Sequence, residues 1–244
     1  MIDNRLKYQA VLFLNAQDIN ANQSNIKNLM TQFSDKELLP GTFQEIGPFL
    51  PVPSPRIRLS SVSNEWEIRI GSTRIDIEKN PITLKGENLG DLKEFCTEAS
   101  SAFGKILELF PRKSNRVALV TRFFLKEMSE DQLKKTYQKL FNSPKTYTDN
   151  NPFEWNWRSV VKIPKAFSDK KEDLNYITSL GRTTSELREQ TAVILLDRIE
   201  INIDINTSNL IVDNRFEKED VDAFFSSANI WHDELVNEII EFIE

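Results

Sequence analysis

Several residue types on which catalytic and metal sites depend are scarce in this sequence. Of its 244 residues one is a cysteine, Cys96, and one is a histidine, His232. An intrachain disulfide is therefore excluded, as are zinc sites that need several His or Cys ligands. The seven glycines form neither a GxGxxG nor a Walker-type phosphate loop, and a GxSxG motif is missing too. We predict no cofactor, and the sequence favours a non-enzymatic role while leaving an enzymatic one open.

Charge and hydropathy exclude further classes of protein. The 31 Lys and Arg residues are outnumbered by 37 Asp and Glu residues, which gives a formal net charge of −6. Such a field repels phosphate backbones and anionic membranes, so nucleic-acid binding through net charge is disfavoured. No apolar run approaches the roughly 20 residues of a membrane helix, and the N-terminus lacks the pattern of a secretion signal. These features predict a cytoplasmic protein without a membrane partner.

The clearest periodic patterns lie in the C-terminal part of the chain. Residues 198–206 alternate isoleucine with polar residues, which indicates a strand with one buried and one solvated face. Residues 218–242 and 91–110 carry apolar residues at steps of three and four, which predicts two long amphipathic helices. The fold class predicted is α+β, with antiparallel sheets packed against these two helices.

The rest of the chain adds strands and a break. Strands are expected at 8–14, 56–60, 65–70, 74–79, 116–125 and 154–163. The segment 40–55 carries five prolines, which predicts irregular structure because proline withholds a backbone donor. Residues 191–196 are mostly apolar and could run into the isoleucine strand.

Domain organisation is predicted from a polar stretch at 142–151. It divides the chain into an N-terminal α+β half, 1–150, and a C-terminal α+β half, 151–244, which share one core. Each half has several strands and then a long helix. This order suggests a duplicated strand-strand-strand-helix unit, an interpretation that the low identity between the halves leaves open.

Two groups of side chains are candidate binding residues. Trp155 and Trp157, followed by Arg158, could form an exposed aromatic anchor for a partner, although core packing is the favoured alternative. His232 lies on the apolar stripe of the last helix. It could act as a base or a proton switch, but a partly buried histidine that bonds a strand carbonyl is favoured.

Charged residues of the predicted strands form two further candidates. Glu200 and Asp204 share one strand face and Asp197 lies upstream, so the three could hold Mg²⁺ or Mn²⁺; a solvated sheet face is favoured. Basic residues that could bind an anion are Arg56, Arg58, Arg69 and Arg74. Acidic residues predicted on the same face are Glu65, Glu67, Asp76 and Glu78. Cross-strand ion pairs are therefore the expected outcome.

Four segments together resemble an uncharacterised, sporadically distributed bacterial protein family of about this length. They are 7–14, 116–123, 200–205 and 222–239 with His232. In that family an early strand, a central strand after a helix, an aspartate-containing late strand and a final helix with a histidine follow in this order. The family's patchy occurrence implies roles in mobile elements or defence, and the resemblance brings no catalytic residues.

Three hypotheses for function follow. The leading one is a non-enzymatic interaction protein, whose partner is another protein or a second copy, in a bacterial defence or toxin-neutralising system. The second is a small-molecule or peptide sensor, which predicts a sizeable apolar cavity near Trp66, Trp157 or His232. The third is a metal-dependent hydrolase that uses Asp197, Glu200 and Asp204.

Overall fold

The computed structural model describes residues 2–47, 50–83, 86–189 and 192–244. Within these residues the chain forms strands β1 Ile2–Phe13, β2 Leu39–Gly47, β3 Leu50–Ser60, β4 Trp66–Ile70, β5 Arg74–Lys79, β6 Arg116–Leu125, β7 Trp155–Phe167, β8 Lys170–Glu189 and β9 Ala192–Thr207, and helices α1 Gln23–Gln32, α2 Leu92–Leu109, α3 Glu130–Leu140, α4 Lys145–Asp149 and α5 Lys218–Ile243.

All nine strands belong to one sheet, in the order β2-β3-β4-β5-β1-β6-β9-β8-β7. Every neighbouring pair is antiparallel. The predicted mixed fold with antiparallel pairing is thus confirmed, with a single sheet in the described residues in place of several. The two strands at its centre, β1 and β6, come from distant parts of the chain.

One face of the sheet, called here the apolar face, packs against helices. Tyr8, Ala10 and Leu12 of β1 alternate onto it, and so do the buried isoleucines of β9. Helices α2 and α5 pack together above this face, where the rings of Phe103 and Phe225 stack with centroids 5.6 Å apart. The buried residues form a cluster that runs through both parts of the chain.

The prediction of irregular structure for the proline-rich segment 40–55 is wrong. The described residues of this segment form most of β2 and the first half of β3. Strand β2 lies at the edge of the sheet, and β3 pairs with β4 only from Ile57 onwards. Prolines at 51, 53 and 55 therefore have no β4 residue opposite them, and a missing donor costs little there. Pro48 lies outside the described residues.

Strands β8 and β9 extend past their other neighbours. The last residue of β8 that pairs with β7 is Arg182, and the pairing of β9 with β6 begins at Glu200. Residues 183–189 and 192–198 pair with each other, for example Leu187 with Ile194. We call this two-stranded segment the β8–β9 ribbon. The apolar stretch predicted from 191 is part of it, although Thr191 itself lies outside the described residues.

The predicted domain boundary at residue 150 falls after β6 and α3, and it stays a prediction. Among the described residues, no helix combines the length and the hydropathy needed to cross a membrane.

Candidate functional site

The face of the sheet opposite the apolar face, called the polar face, carries a network of ion pairs. Arg58 contacts Glu67 at 2.7 Å and Arg74 contacts Asp76 at 3.0 Å. Arg69 contacts both Glu67 and Glu78. The predicted cross-strand ion pairs are confirmed for Arg58–Glu67 and Arg69–Glu78, whereas Arg74 and Asp76 pair within β5. These arginines are engaged by the protein's own carboxylates.

Arg56 has a different role from the other three arginines. Its side chain is buried, lies 3.3 Å from the Glu45 carboxylate, and donates to the backbone carbonyls of Ala16 at 2.6 Å and Gln17 at 3.1 Å. Burial lowers the pKa of its guanidinium, and the Glu45 charge opposes that effect. Arg56 thus fastens the loop after β1 to the β2–β3 hairpin.

Around Asp204, at the C-terminal side of the polar face, an amide chain takes the place of a direct ion pair. Asn175 donates to Asn206 at 3.0 Å, and Asn206 donates to the Asp204 carboxylate at 2.8 Å. Burial raises the pKa of Asp204, while the Asn206 hydrogen bond and the charges of Arg116 and Arg158 oppose that rise. A desolvated carboxyl is therefore held in the middle of a polar surface.

The three carboxylates proposed as metal ligands are engaged separately. Asp197 accepts two hydrogen bonds from Arg182, at 2.9 and 2.6 Å, and Glu200 accepts two from Arg122, both at 2.7 Å. In the described part of the chain no group of three His, Cys, Asp or Glu side chains is placed to hold a metal ion. The structure therefore gives the hydrolase hypothesis no support.

The predicted aromatic anchor lies on β7, the outermost strand on this side. Trp155 is 8% exposed and packs against the rings of Tyr137 and Phe141, with centroids 6.2 and 5.7 Å away. Trp157 is half-buried against the core, and Arg158 is exposed. Of these three residues, Arg158 is the one that presents a large free surface.

His232 is held at both ring nitrogens. Its Nε2 lies 2.8 Å from the Thr121 hydroxyl and its Nδ1 lies 3.2 Å from the Asp233 carboxylate. The predicted partner, a strand carbonyl, is replaced by the side chain of a β6 threonine that faces the helices. With 5% of its surface exposed, His232 is buried, where a partly buried histidine was expected.

Thr121, His232 and Asp233 are hydrogen-bonded in the order of a hydrolase triad, but a substrate cannot reach the Thr121 hydroxyl. In such a triad the hydroxyl must reach a substrate carbonyl. Thr121 has 0% exposed surface, packed inside the sheet–helix interface. The three residues thus act as a polar connection between β6 and α5.

Next to His232 lies a cleft of about 410 Å³, called here the His232 cleft. Strand β1 contributes Arg5 and Tyr8, the start of α2 contributes Asp91, and α5 contributes His232 and Asp233. Further lining residues are Ile2, Gly90, Leu92 and Phe123. These residues are far apart in sequence and give no local motif, which is why sequence reasoning identified only His232.

Tyr8 lies at the centre of the electrostatics of this cleft. Its hydroxyl donates to the Gly90 carbonyl at 3.2 Å. Burial raises its pKa to about 12; the charge and hydrogen bond of Arg5 oppose that rise, and the charges of Asp91 and Asp233 add to it. Asp91 also caps α2 by accepting from the Lys93 amide at 3.0 Å. One cationic and two anionic groups therefore act on the same hydroxyl.

A larger groove, of about 710 Å³, lies on the polar face at the base of the β8–β9 ribbon. Its floor includes the paired side chains of Arg122 and Glu200, with Asn202 beside them, and Phe153 stands at its side with 73% of its surface exposed. Trp155 lines it as well. The lining is mostly polar, and Arg122 and Glu200 within it are already paired with each other.

Comparison of the sequence with protein-family models and with curated proteins gives no match. The resemblance to a sporadically distributed bacterial family stays a prediction.

Proposed function

We propose that the protein is a non-enzymatic interaction component that docks a partner through the β8–β9 ribbon. The observation that carries this proposal is the pairing of the ribbon strands. Residues 183–189 and 192–198 extend beyond the last residues that pair with β7 and β6. In this part the ribbon has two strands, and a two-stranded hairpin alone is at best marginally stable in water.

One strand of the ribbon carries an apolar run, while the other, 183–189, is mostly polar. Residues 192–196 read Ala-Val-Ile-Leu-Leu. Burying one large aliphatic side chain contributes about 1.5–3 kcal/mol, so covering this stretch would offset much of the cost of association. Strand ribbons of this type dock against a sheet edge or an apolar groove of a partner. The partner is another protein or a second copy of this chain.

The proposal is tested with a shortened ribbon. Thr184 and Asp197 lie directly opposite each other, so residues 185–196 can be replaced by an Asn-Gly turn. We expect the full chain to form a stoichiometric complex, with itself or with one protein of its native host. That complex should disappear in the shortened variant, as measured by affinity purification and light scattering.

The control for this experiment is Arg158→Ser on the exposed side of β7. It should keep the complex, and circular dichroism should show that the shortened variant keeps its fold. A full chain that is monomeric and recovers no stoichiometric partner would refute the proposal. So would a complex that the shortened variant retains.

The placement in a bacterial defence or toxin-neutralising system rests on the family resemblance. Deleting the gene in its host should then lower survival under phage or toxin challenge, and the shortened-ribbon variant should fail to restore it. Unchanged survival would remove the pathway assignment and leave the interaction role untouched.

A second candidate function, a small-molecule or peptide sensor, is favoured by the His232 cleft. Its position beside His232 is one of the three that the sensor hypothesis predicts. The lining is mixed, with charged groups beside apolar ones, where an apolar cavity was predicted. A ligand bound there would contact β1, α2 and α5 together.

We also propose that the fold is a duplication. Strands β5, β4 and β3 follow β1 outwards on one side of the sheet, and β9, β8 and β7 follow β6 on the other. The tripeptide Ile-Asp-Ile occurs in β5 and β9, and the aspartates of both copies, Asp76 and Asp204, lie opposite a valine of the central strand, Val11 and Val120. The repeat boundary would then fall between α2 and β6.

The duplication is checked by superposing β1, β4, β5 and α2 on β6, β8, β9 and α5. Asp76 should fall on Asp204 in that superposition. A fit that requires another residue pairing would refute the proposal.

A further inference from the structure

The His232 cleft differs from the other charged surfaces of the protein in how its charges are arranged. On the polar face, arginines and carboxylates contact one another directly, as Arg122 and Glu200 do. In the cleft, Arg5 approaches from β1 while Asp91 and Asp233 approach from two helices, and aromatic groups lie among them. We infer that the cleft binds a small zwitterion of amino-acid size, with its carboxylate at Arg5 and its ammonium group at Asp233 and Asp91.

The charges of the lining decide the class of ligand. A guanidinium offers planar, paired donors that match a carboxylate. Asp91 and Asp233 each have a known contact, to the Lys93 amide and to the His232 ring. A carboxylate has about four acceptor sites, so both can accept further hydrogen bonds from an ammonium group. A ligand with both charges satisfies all three side chains.

The same charges disfavour ligands with one sign of charge. The amides at the start of α2 would attract an anion, but Asp91 and Asp233 repel one at that place. A simple cation would gain from the two carboxylates and would leave Arg5 facing it across the cleft. The cleft therefore favours a ligand that carries both a negative and a positive charge.

Size and rigidity agree with a small ligand. A cleft of about 410 Å³ lies at the lower end of the range for small-molecule sites. Phe123 offers an apolar wall, and its ring meets the His232 ring edge-on at 6.3 Å. Tyr8 and His232 are fixed by hydrogen bonds to Gly90, Thr121 and Asp233 before any ligand enters. These two side chains therefore need no further ordering when a ligand binds.

The test uses ligands that lack one charge. Calorimetry with the twenty standard amino acids on the full chain identifies a binder, with L-phenylalanine and L-leucine as first probes. For phenylalanine, the matched analogues are phenethylamine, without the carboxylate, and 3-phenylpropanoate, without the ammonium group. Because each lost contact is a charge-assisted hydrogen bond, we expect each analogue to bind at least about tenfold more weakly.

Two variants locate the ends of the ligand. Arg5→Gln should abolish the preference for phenylalanine over phenethylamine, and Asp233→Asn should abolish the preference over 3-phenylpropanoate. Lys7→Gln, on the same strand but paired with Glu78 on the polar face, is the control and should change neither preference.

The inference is overturned if no amino acid binds, or if a singly charged analogue binds as tightly as the zwitterion. These comparisons on the unmodified chain stand even if a variant misfolds. The site is independent of the ribbon, so the shortened-ribbon variant should bind the same ligand with the same affinity.

Discussion

Asp76 in β5 and Asp204 in β9 occupy similar places in the two sides of the sheet and are satisfied differently. Each lies between two isoleucines, opposite a valine of a central strand, with its pKa raised by burial. Asp76 has an ion pair with Arg74 at 3.0 Å and a hydrogen bond from Gln9 at 2.8 Å. Asp204 receives its hydrogen bond from the amide of Asn206.

The difference extends to the surroundings of the two aspartates. On the N-terminal side, ion pairs link the polar faces of β3, β4 and β5, and the outer strands end in a proline-rich hairpin. On the C-terminal side, the strands lengthen into the β8–β9 ribbon. Two similar strand sets thus differ in two ways: several ion pairs connect the polar groups of one, and the other lengthens into a two-stranded ribbon.

The largest expected effect tests whether the two sides share one core. Phe103→Ala and Phe225→Ala should each lower the free energy of unfolding by about 3–5 kcal/mol, because both rings are buried and stack on each other. Urea unfolding followed by circular dichroism and tryptophan fluorescence should give one coincident transition in each variant.

Phe242→Ala is the matched control on α5, since that side chain is 51% exposed, and it should change stability by at most about 0.5 kcal/mol. Two separate transitions, with only one moved by Phe103→Ala, would mean that the sides are independent domains.

The next effect concerns the base of the ribbon. Arg182 is buried and holds Asp197, Glu130 and the Pro152 carbonyl, and its hydrogen bonds with Asp197 raise its pKa. Arg182→Met should cost about 1–3 kcal/mol in urea unfolding, because these groups lose their shared donor. Arg158→Met on neighbouring β7 should stay within about 0.5 kcal/mol. Equal losses of unfolding free energy in the two variants would show that the hydrogen bonds of Arg182 do not stabilise the fold.

A smaller effect compares the two aspartates by pH. The folded-state pKa of each aspartate is raised above the ordinary value of 3.8. Protonation of these carboxyls therefore stabilises the fold fully below pH 3.8, and this contribution is lost as the pH rises through the folded-state pKa. Asp204→Asn resembles the protonated form. It should therefore have a higher Tm than the parent at neutral pH, with a difference that shrinks towards acid pH.

Asp76→Asn should show a smaller gain, because Arg74 then loses its ion pair. Melting curves from about pH 4 to about pH 8, with the exposed Asp169→Asn as control, check both variants. A lower Tm for Asp204→Asn at neutral pH would contradict the assignment of burial as the main cause.

The smallest effect is expected from magnesium. Asp197 and Glu200 are each paired with an arginine, so Mg²⁺ should leave the Tm unchanged. A Mg²⁺-dependent rise that disappears in Glu200→Ala and Asp204→Ala would revive the hydrolase hypothesis.

Local features of the sequence predicted much of the secondary structure. The strand expected at 116–125 has those bounds in β6, and a capping box of Ser129 and Gln132, a local sequence pattern, begins α3. The wrong prediction at 40–55 came from the prolines. The energetic cost of a proline in a strand depends on whether the strand is paired on both sides at that residue. That information is not local, since it depends on where β4 begins to pair.

The candidate sites were much less predictable. His232 was identified as a candidate because it is the single histidine, yet its partners Thr121 and Asp233 come from a central strand and from its own helix. Arg5, Tyr8 and Asp91 carry no recognisable motif and meet His232 only in the folded chain. Ion pairs were easier to predict, because oppositely charged residues on one face of adjacent antiparallel strands have few other partners within reach.

The sequence by itself determined the periodicities, and with them which residues face the core: alternation in β9 and steps of three and four in α2 and α5 require a half-buried sheet covered by helices. Only the tertiary structure decided the order of the strands, the length of the ribbon beyond its neighbours and the meeting of Arg5, Asp91 and Asp233 around one cleft. The physical reason is that burial acts on each residue's own side chain, whereas backbone hydrogen bonds between strands are the same for almost every sequence. Which strands meet is therefore set by the packing of the whole chain.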